Sequence, residues 1–379
     1  MNRRIAAVGA FVAAGAVLAG CSSSTTLPGA GSDGPPAVGS DWAEIEELAA
    51  EEGTLALGVM SIPGFQEWAE YADEQLETID IEITATPFDS FIPRVVTEQD
   101  NGAYLWDVMV GPLTNIYAGL HPDHLQDISV MLDRLPAELT ADAAWGGGFE
   151  QYADPADPRS FINEYLLGTA ITVNRKEITA AELDEPRDLL DPRWRGEICI
   201  NDPRLVNQAS MGLSWFLESP EYGEEFVTTL LRDQDVVLMD TITATSEAFA
   251  KGNCAIAIGA DARTINEMRD AGIDIEYEVL DGYGNFLLAW GVSVLEGAPH
   301  PNAAHVFLAW FLSEDGQKSY VDMVRADATT RQLDVAPGPY GPSKVDFEDI
   351  DGYPVRPGTS AGSEAIKRMT ALAEQLLSN

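Results

Sequence analysis

The chain has 379 residues, 45% of them hydrophobic, and sets 62 Asp and Glu against 22 Lys and Arg for a formal net charge of −40. A surface of that sign repels nucleic acid and anionic lipid, which excludes both as partners, while the length suffices for one large core or two ordinary ones. Acid excess with little lysine is also one way to remain soluble in concentrated salt.

At the N-terminus Arg3 and Arg4 precede the uncharged "IAAVGAFVAAGAVLAG". This run falls short of a stable span of about 20 residues. It reads as a secretory signal over residues 1–20, basic at its start and small-residue at its end. Leu18-Ala19-Gly20-Cys21 resembles a bacterial lipobox, which implies that Cys21 is lipid-modified and becomes the first residue of the mature protein. Residues 21–40 are dominated by Ser, Thr, Gly and Pro, too poor in apolar surface to fold, and are expected to form a flexible tether.

The body then alternates. "WAEIEELAAEEG" has helical spacing and a C-cap signal at Gly53; "TLALGVM" (54–60) reads as a buried strand, and "SIPGFQEWAEYADEQLE" as a helix begun near Ser61 and Pro63. Strands are expected in "IDIEITATPFD" (79–89) and "LWDVMVGPLTN" (105–115). The theme repeats in "GTAITVNR" (168–175), "GEICINDPR", the helical "LVNQASMGLSWFLES", and "DVVLMDT". In "NCAIAIGADARTINEMRDAG" a strand and turn lead to a helix with Asp261 as N-cap and Gly272 as stop. Last come the extended "FLLAWGVSVLEGAPHPN", the helix pair "AAHVFLAWFLSEDGQKSYV", an irregular Pro- and Gly-rich wrap, and a capped helix in "SAGSEAIKRMTALAEQLLSN". Alternating strands and helices define an α/β fold with a parallel sheet and ligand loops at the carboxyl ends of its strands.

"ITVNRKEI...EPRDLLDPRWRGEICINDPR" (171–204) and "AWGVSVLEGAPHPNAAHVFLAWFLSEDGQKSYV" (289–321) resemble two segments of the extracellular solute-binding proteins of ABC importers. The likeness is strongest to the branch that binds ferric iron, thiamine, polyamines and phosphonates. It implies a two-lobed type II periplasmic binding protein fold with two crossover hinge strands. Lobe 1 would comprise 41–170 and 287–379, and lobe 2 would comprise 171–286. Two cysteines outside the reducing cytosol form either a disulfide or a pair of buried thiols. In the implied lobe the strand holding Cys199 lies beside the one that begins at Cys254, and this adjacency favours the bridge.

In such a fold the strand-end loops line one crevice. The expected ligand-binding residues are Ser61 and Thr114 on lobe 1, and Asn201, Asp202, Arg204, Thr243, Ser246, Asp261 and Arg263 on lobe 2, with Tyr283 near the second hinge. Helix starts at Ser61, Thr245 and Asp261 would offer N–H groups to an anion, although each side chain would equally serve as a cap. Arg204 and Arg263 would grip a carboxylate or phosphonate, or else pair with surface acids. Trp106 and Trp290 would suit a polyamine or thiamine-like cation, or else the core. Ferric members of the branch use adjacent tyrosines, and this chain has no Tyr-Tyr pair. His121 and His124 in "HPDH" lack a third ligand nearby, so neither a metal site nor a cofactor is expected.

Two function classes are open. The first is a lipid-anchored carrier at the extracytoplasmic face of the cell membrane that captures an organic anion, a zwitterion or a cation and feeds an importer or a sensor. The second is a secreted, membrane-anchored hydrolase acting on a small or glycosidic substrate; HExxH and GxSxG are absent from the chain.

Overall fold

The computed structural model describes residues 37–168, 170–280, 284, 286–325, 328–336, 345, 347 and 359–378. The calls on Cys21, Tyr283, the leader and most of the Pro- and Gly-rich wrap lie outside the described residues. None of the described helices is long and apolar enough to cross a membrane.

The first half runs α1 (Trp42–Glu52), β1 (Thr54–Met60), α2 (Phe65–Gln75), β2 (Asp80–Thr86), α3 (Phe88–Asp100), β3 (Val108–Pro112), α4 (Leu113–Leu120), the single turn α5 (Ser129–Leu132) and β4 (Phe161–Gly168). The middle contains β5 (Ile171–Asn174), β6 (Ile198–Asn201), α6 (Gln208–Glu218), α7 (Gly223–Asp233), β7 (Val237–Met239), α8 (Ile242–Ala250), β8 (Ile256–Ile258), α9 (Ala262–Asp270) and β9 (Tyr277–Val279). The chain closes with β10 (Phe286–Val294), α10 (Pro301–Phe311), α11 (Glu314–Met323), β11 (Thr329–Thr330) and α12 (Ser360–Leu377).

Two sheets result, ordered β11-β4-β10-β3-β1-β2 and β7-β6-β8-β5-β9. Within each, the strands that feed the site are parallel: β1 with β2 and β3, and β6 with β7 and β8. The sheets are nevertheless mixed, correcting the all-parallel expectation. β10 runs antiparallel to both β3 and β4, and β5 antiparallel to β8 and β9, so the first strand after each crossing opposes its neighbours. Where the chain passes from one sheet to the other, Ala170 and Gly284 lie close together and against α6. A Cβ on Gly212 would fall 2.3 Å from Ala170 Cβ, and one on Gly284, at φ 68, would fall 2.8 Å from it.

Apolar clusters cover the sheet faces. Leu55, Leu57 and Val59 of β1 are fully buried with Trp68 of α2 and Phe307, Leu308 and Phe311 of α10. The other face carries Phe91, Ile92 and Val95 of α3 with Leu113 and Ile116 of α4. In the second sheet Ile198, Ile200, Ile256 and Ile258 pack with Leu213 and Phe216 of α6 and Leu230 of α7. That same cluster contains Met369, Ala373 and Leu376 of α12. The C-terminal helix therefore docks on the second lobe, although the sequence assigned all of 287–379 to the first. Its apolar stripe is complementary to α6 and α7, and Arg368 pairs with Glu218 at 2.7 Å. The expected tether also ends early: Gly39 N donates to Asn302 Oδ1 and Asn302 Nδ2 to Ala37 O, tying the chain to α10 from Ala37 onward.

Cys199 and Cys254 are bonded, with Cα atoms 5.8 Å apart and both residues buried. The pairing of β6 with β8 sets Cys199 beside Ala257, which brings Cys254, three residues earlier, within reach.

Candidate functional site

The site is set by where parallel strands stop and helices start. On the first lobe β1 ends at Met60 and the chain turns at Gly64 into α2. Gly64 holds φ 91, and a Cβ there would lie 1.8 Å from Met323 O, so the turn demands glycine. Ser61 is therefore not the helix start; it is exposed, with its N–H bonded to Thr86 O. β3 runs into α4 without a loop, and its N-cap, Pro112, has no side-chain group to give. Thr114, the second residue of α4, is 7% exposed and its Oγ1 has no hydrogen-bond partner.

On the second lobe the starts of α6, α8 and α9 are closed by side chains, while α7, which follows Tyr222, has no side-chain cap. Asn207 accepts from Ala209 N and Ser210 N at α6. Thr241, rather than Thr245, caps α8 by accepting from Ala244 N. Asp261 caps α9, accepting from Thr264 N at 2.9 Å and from Thr264 Oγ1. The other expected contacts are similarly engaged. Asn201 donates to Met239 O, and buried Ser246 donates to Ile242 O and accepts from Asp261 N. Arg204 donates from Nε and Nη2 to Asp202, and this ion pair holds the Asp202 carboxyl below the usual carboxylate range. Arg263 pairs with Glu267 one turn along its helix, and Thr243 is exposed in the first turn of α8. Asn201, Asp202, Arg204, Ser246, Asp261 and Arg263 thus spend their polar atoms within the second lobe.

Between the lobes lies a groove of about 320 Å³. One wall is Phe88, Ile92 and Pro93 of α3 with Thr114, Asn115 and Gly119 of α4. The other is Val206, from the loop after β6, with Ser363, Ile366 and Lys367 of α12. Among the described residues, Thr114 is the one expected site residue that lines it. The sequence reading passed over Val206 and α12. Leu205 and Val206, both 58% exposed, directly follow the expected "NDPR" loop, and two adjacent exposed apolar residues were the available signal. Nothing local marks Ser363 or Ile366, because their place depends on a helix returning from the far end of the chain.

Two further cavities open on the first lobe, the smaller of them also bordered by Thr359 and Ala361 at the start of α12. One of about 280 Å³ lies against Ile162, Tyr165 and Ala289, and one of about 610 Å³ is edged by Asp133, Asp142 and Glu150. Neither is lined by the second sheet or its strand-end loops. Near them Tyr152 is pushed up to about 12 by burial and by Glu150 and Asp133. Among the described residues no group of three or more His, Cys, Asp or Glu is placed to hold a metal ion. His121 instead meets Asp157 at 2.6 Å and His124 meets Gln99 at 2.9 Å. Trp106 donates to Glu98 and Trp290 lies 4.0 Å from the Arg325 guanidinium, so both indoles serve the core of the first lobe.

The chain has the two-lobed fold of type II periplasmic binding proteins. Iron-bound HitA from Pseudomonas aeruginosa superposes with a TM-score of 0.64 at 16% identity, covering 86% of this chain and 99% of that one. AfuA from Actinobacillus pleuropneumoniae, solved with fructose-6-phosphate, gives 0.56 at 18% identity over 86% and 99%. Residues 208–318, from the start of α6 into α11, match the model of bacterial extracellular solute-binding proteins. An uncharacterized protein of Haemophilus influenzae is 28% identical over 180 residues, 45% of this chain and 50% of that protein, so the match spans half the length of this curated relative.

Proposed function

We propose that the protein is an extracytoplasmic solute-binding protein that captures a small polar solute between its lobes and delivers it, chemically unchanged, to an ABC importer. Lipid on Cys21 would hold it at the membrane face, with the following residues as leash. The observation that carries the reading is the groove itself. It lies between two lobes joined by two crossings, and a buried Thr114 hydroxyl without a partner borders it. The matched segment 208–318 and the fold describe binding proteins rather than enzymes, which weighs against the hydrolase. Closure would occur by hinge motion, with the ligand stabilising the closed state through contacts that the open state lacks.

The test is a thermal-shift screen against ferric citrate, spermidine, thiamine, phosphonates, sugar phosphates and organic acids. A ligand at a hundred times its dissociation constant stabilises by about 2.7 kcal/mol, a shift of a few degrees. Recovery of the bound compound unchanged supports a carrier. Its consumption during incubation overturns the proposal in favour of an enzyme.

A further inference from the structure

We infer that the groove takes a small organic carboxylate with an apolar body, and that α12 forms the second wall of the site. This rests on the solute-binding reading and narrows it. The walls are mostly carbon: Phe88, Ile92 and Pro93 face Val206 and Ile366. A sugar, a polyamine or a hydrated metal ion placed there would lose water without regaining hydrogen bonds. The volume of about 320 Å³ suits a small organic molecule.

Two buried polar atoms without a partner border this groove, Thr114 Oγ1 from the first lobe and Ser363 Oγ from α12. Thr114 is over nine-tenths buried and stands at the start of α4, an eight-residue helix that no side chain caps. Its unpartnered hydroxyl can donate one hydrogen bond, a carboxylate supplies the acceptor, and a helix N-terminus favours an anion. On the second lobe Asn207, Thr241 and Asp261 already cap α6, α8 and α9, and the uncapped α7 does not line the groove. Lys367 stands at the rim, exposed and paired with Glu364 at 2.9 Å, where water screens its charge. The acid end thus belongs at Thr114, with the hydrocarbon laid along Phe88, Ile92 and Ile366. Because α12 packs on α6 and α7, lobe closure would carry Ser363 and Ile366 onto the ligand.

Isothermal titration of the whole protein with sodium hexanoate and sodium benzoate, beside inorganic phosphate, ferric citrate, spermidine and glucose, tests this. At least one carboxylate is expected to bind saturably. Thr114→Val should weaken it about tenfold or more and Thr114→Ser should restore most of the loss. Val206→Asp, at an exposed position that leaves the unliganded melting temperature unchanged, should abolish it by setting a second negative charge in the groove. Failure of both carboxylates to bind, or binding indifferent to Thr114→Val and Val206→Asp, overturns the inference. Saturable binding of phosphate, ferric citrate, spermidine or glucose in their place overturns it too, while leaving the solute-binding reading intact.

Discussion

His300, the N-cap of α10, reaches back to the strand layer through Asp107. That carboxylate is fully buried and takes three donors: Ala56 N at 2.8 Å, His300 N at 2.7 Å and, across 2.9 Å, His300 Nδ1. The Asp107 hydrogen bond raises the His300 pKa above its ordinary 6.5, against the opposing effect of burial. A raised folded pKa gives stability that is complete below about pH 6.5 and fades as pH climbs through the folded value. His305, five residues on, responds oppositely. Burial lowers its pKa and its Nε2 has no partner, so it weakens the fold as pH falls below about 6.5. His300→Gln with His305 intact isolates the first effect. The gap in urea midpoint between wild type and variant should shrink as pH rises from about 6 to 9; a gap independent of pH would exclude the ion pair as its source. Residues of this kind are poorly legible in sequence. His300 stands where the extended "FLLAWGVSVLEGAPHPN" gives way to a helix, but its partner lies 193 positions away. Caps were legible because their partner is local: Gly53, at φ 70, closes α1, and Asp261 opens α9.

At the scale of elements, what local pattern could not see was set by packing at a distance. α3 was missed because Pro93 interrupts its run, yet Phe88, Phe91, Ile92 and Val95 recur at helical spacing and bury one face against α4. The docking of α12 escaped for a related reason, since chain order favours the first lobe whereas its apolar stripe fits the second. The disulfide was reached through the implied adjacency of two strands, and β6 and β8 are indeed neighbours. It closes a loop of 55 residues, a constraint on the unfolded chain of up to about 4 kcal/mol. Those strands lead into the Asp202 and Asp261 loops, so the bond also fixes the floor of the second lobe. The double variant Cys199→Ala/Cys254→Ala should lose about 2–4 kcal/mol in urea unfolding. A midpoint equal to that of wild type would mean that sheet pairing alone holds these strands.

For the molecule as a whole, charge is the property that was plain from the start and that the fold leaves largely uncompensated. With 62 acids against 22 bases, most carboxylates have no cation to meet. The ion pairs that do form lie mainly at the surface, such as Lys318–Asp322 and Arg263–Glu267, where each contributes about 0–1 kcal/mol. An exception is Arg325–Glu164 at 2.9 Å, buried between β4 and the end of α11, which solvent ions cannot screen. Arg331 is buried as well and meets no carboxylate among the described residues. Its guanidinium donates to the carbonyls of Gly146, Ile162, Gly148 and Phe149, and burial pushes its pKa down to about 10. Added salt should therefore weaken little that is favourable and screen much that is repulsive. The Debye length falls from about 30 Å at 0.01 M to about 8 Å at 0.15 M, so acids that repel across a lobe in dilute buffer cease to do so within the first few tenths molar. The melting temperature is expected to rise with NaCl, most of the gain coming below about 0.3 M. A rise that begins only in molar salt would instead reflect ion exclusion from the surface, and a flat profile throughout would show that the excess acids stand too far apart to oppose folding.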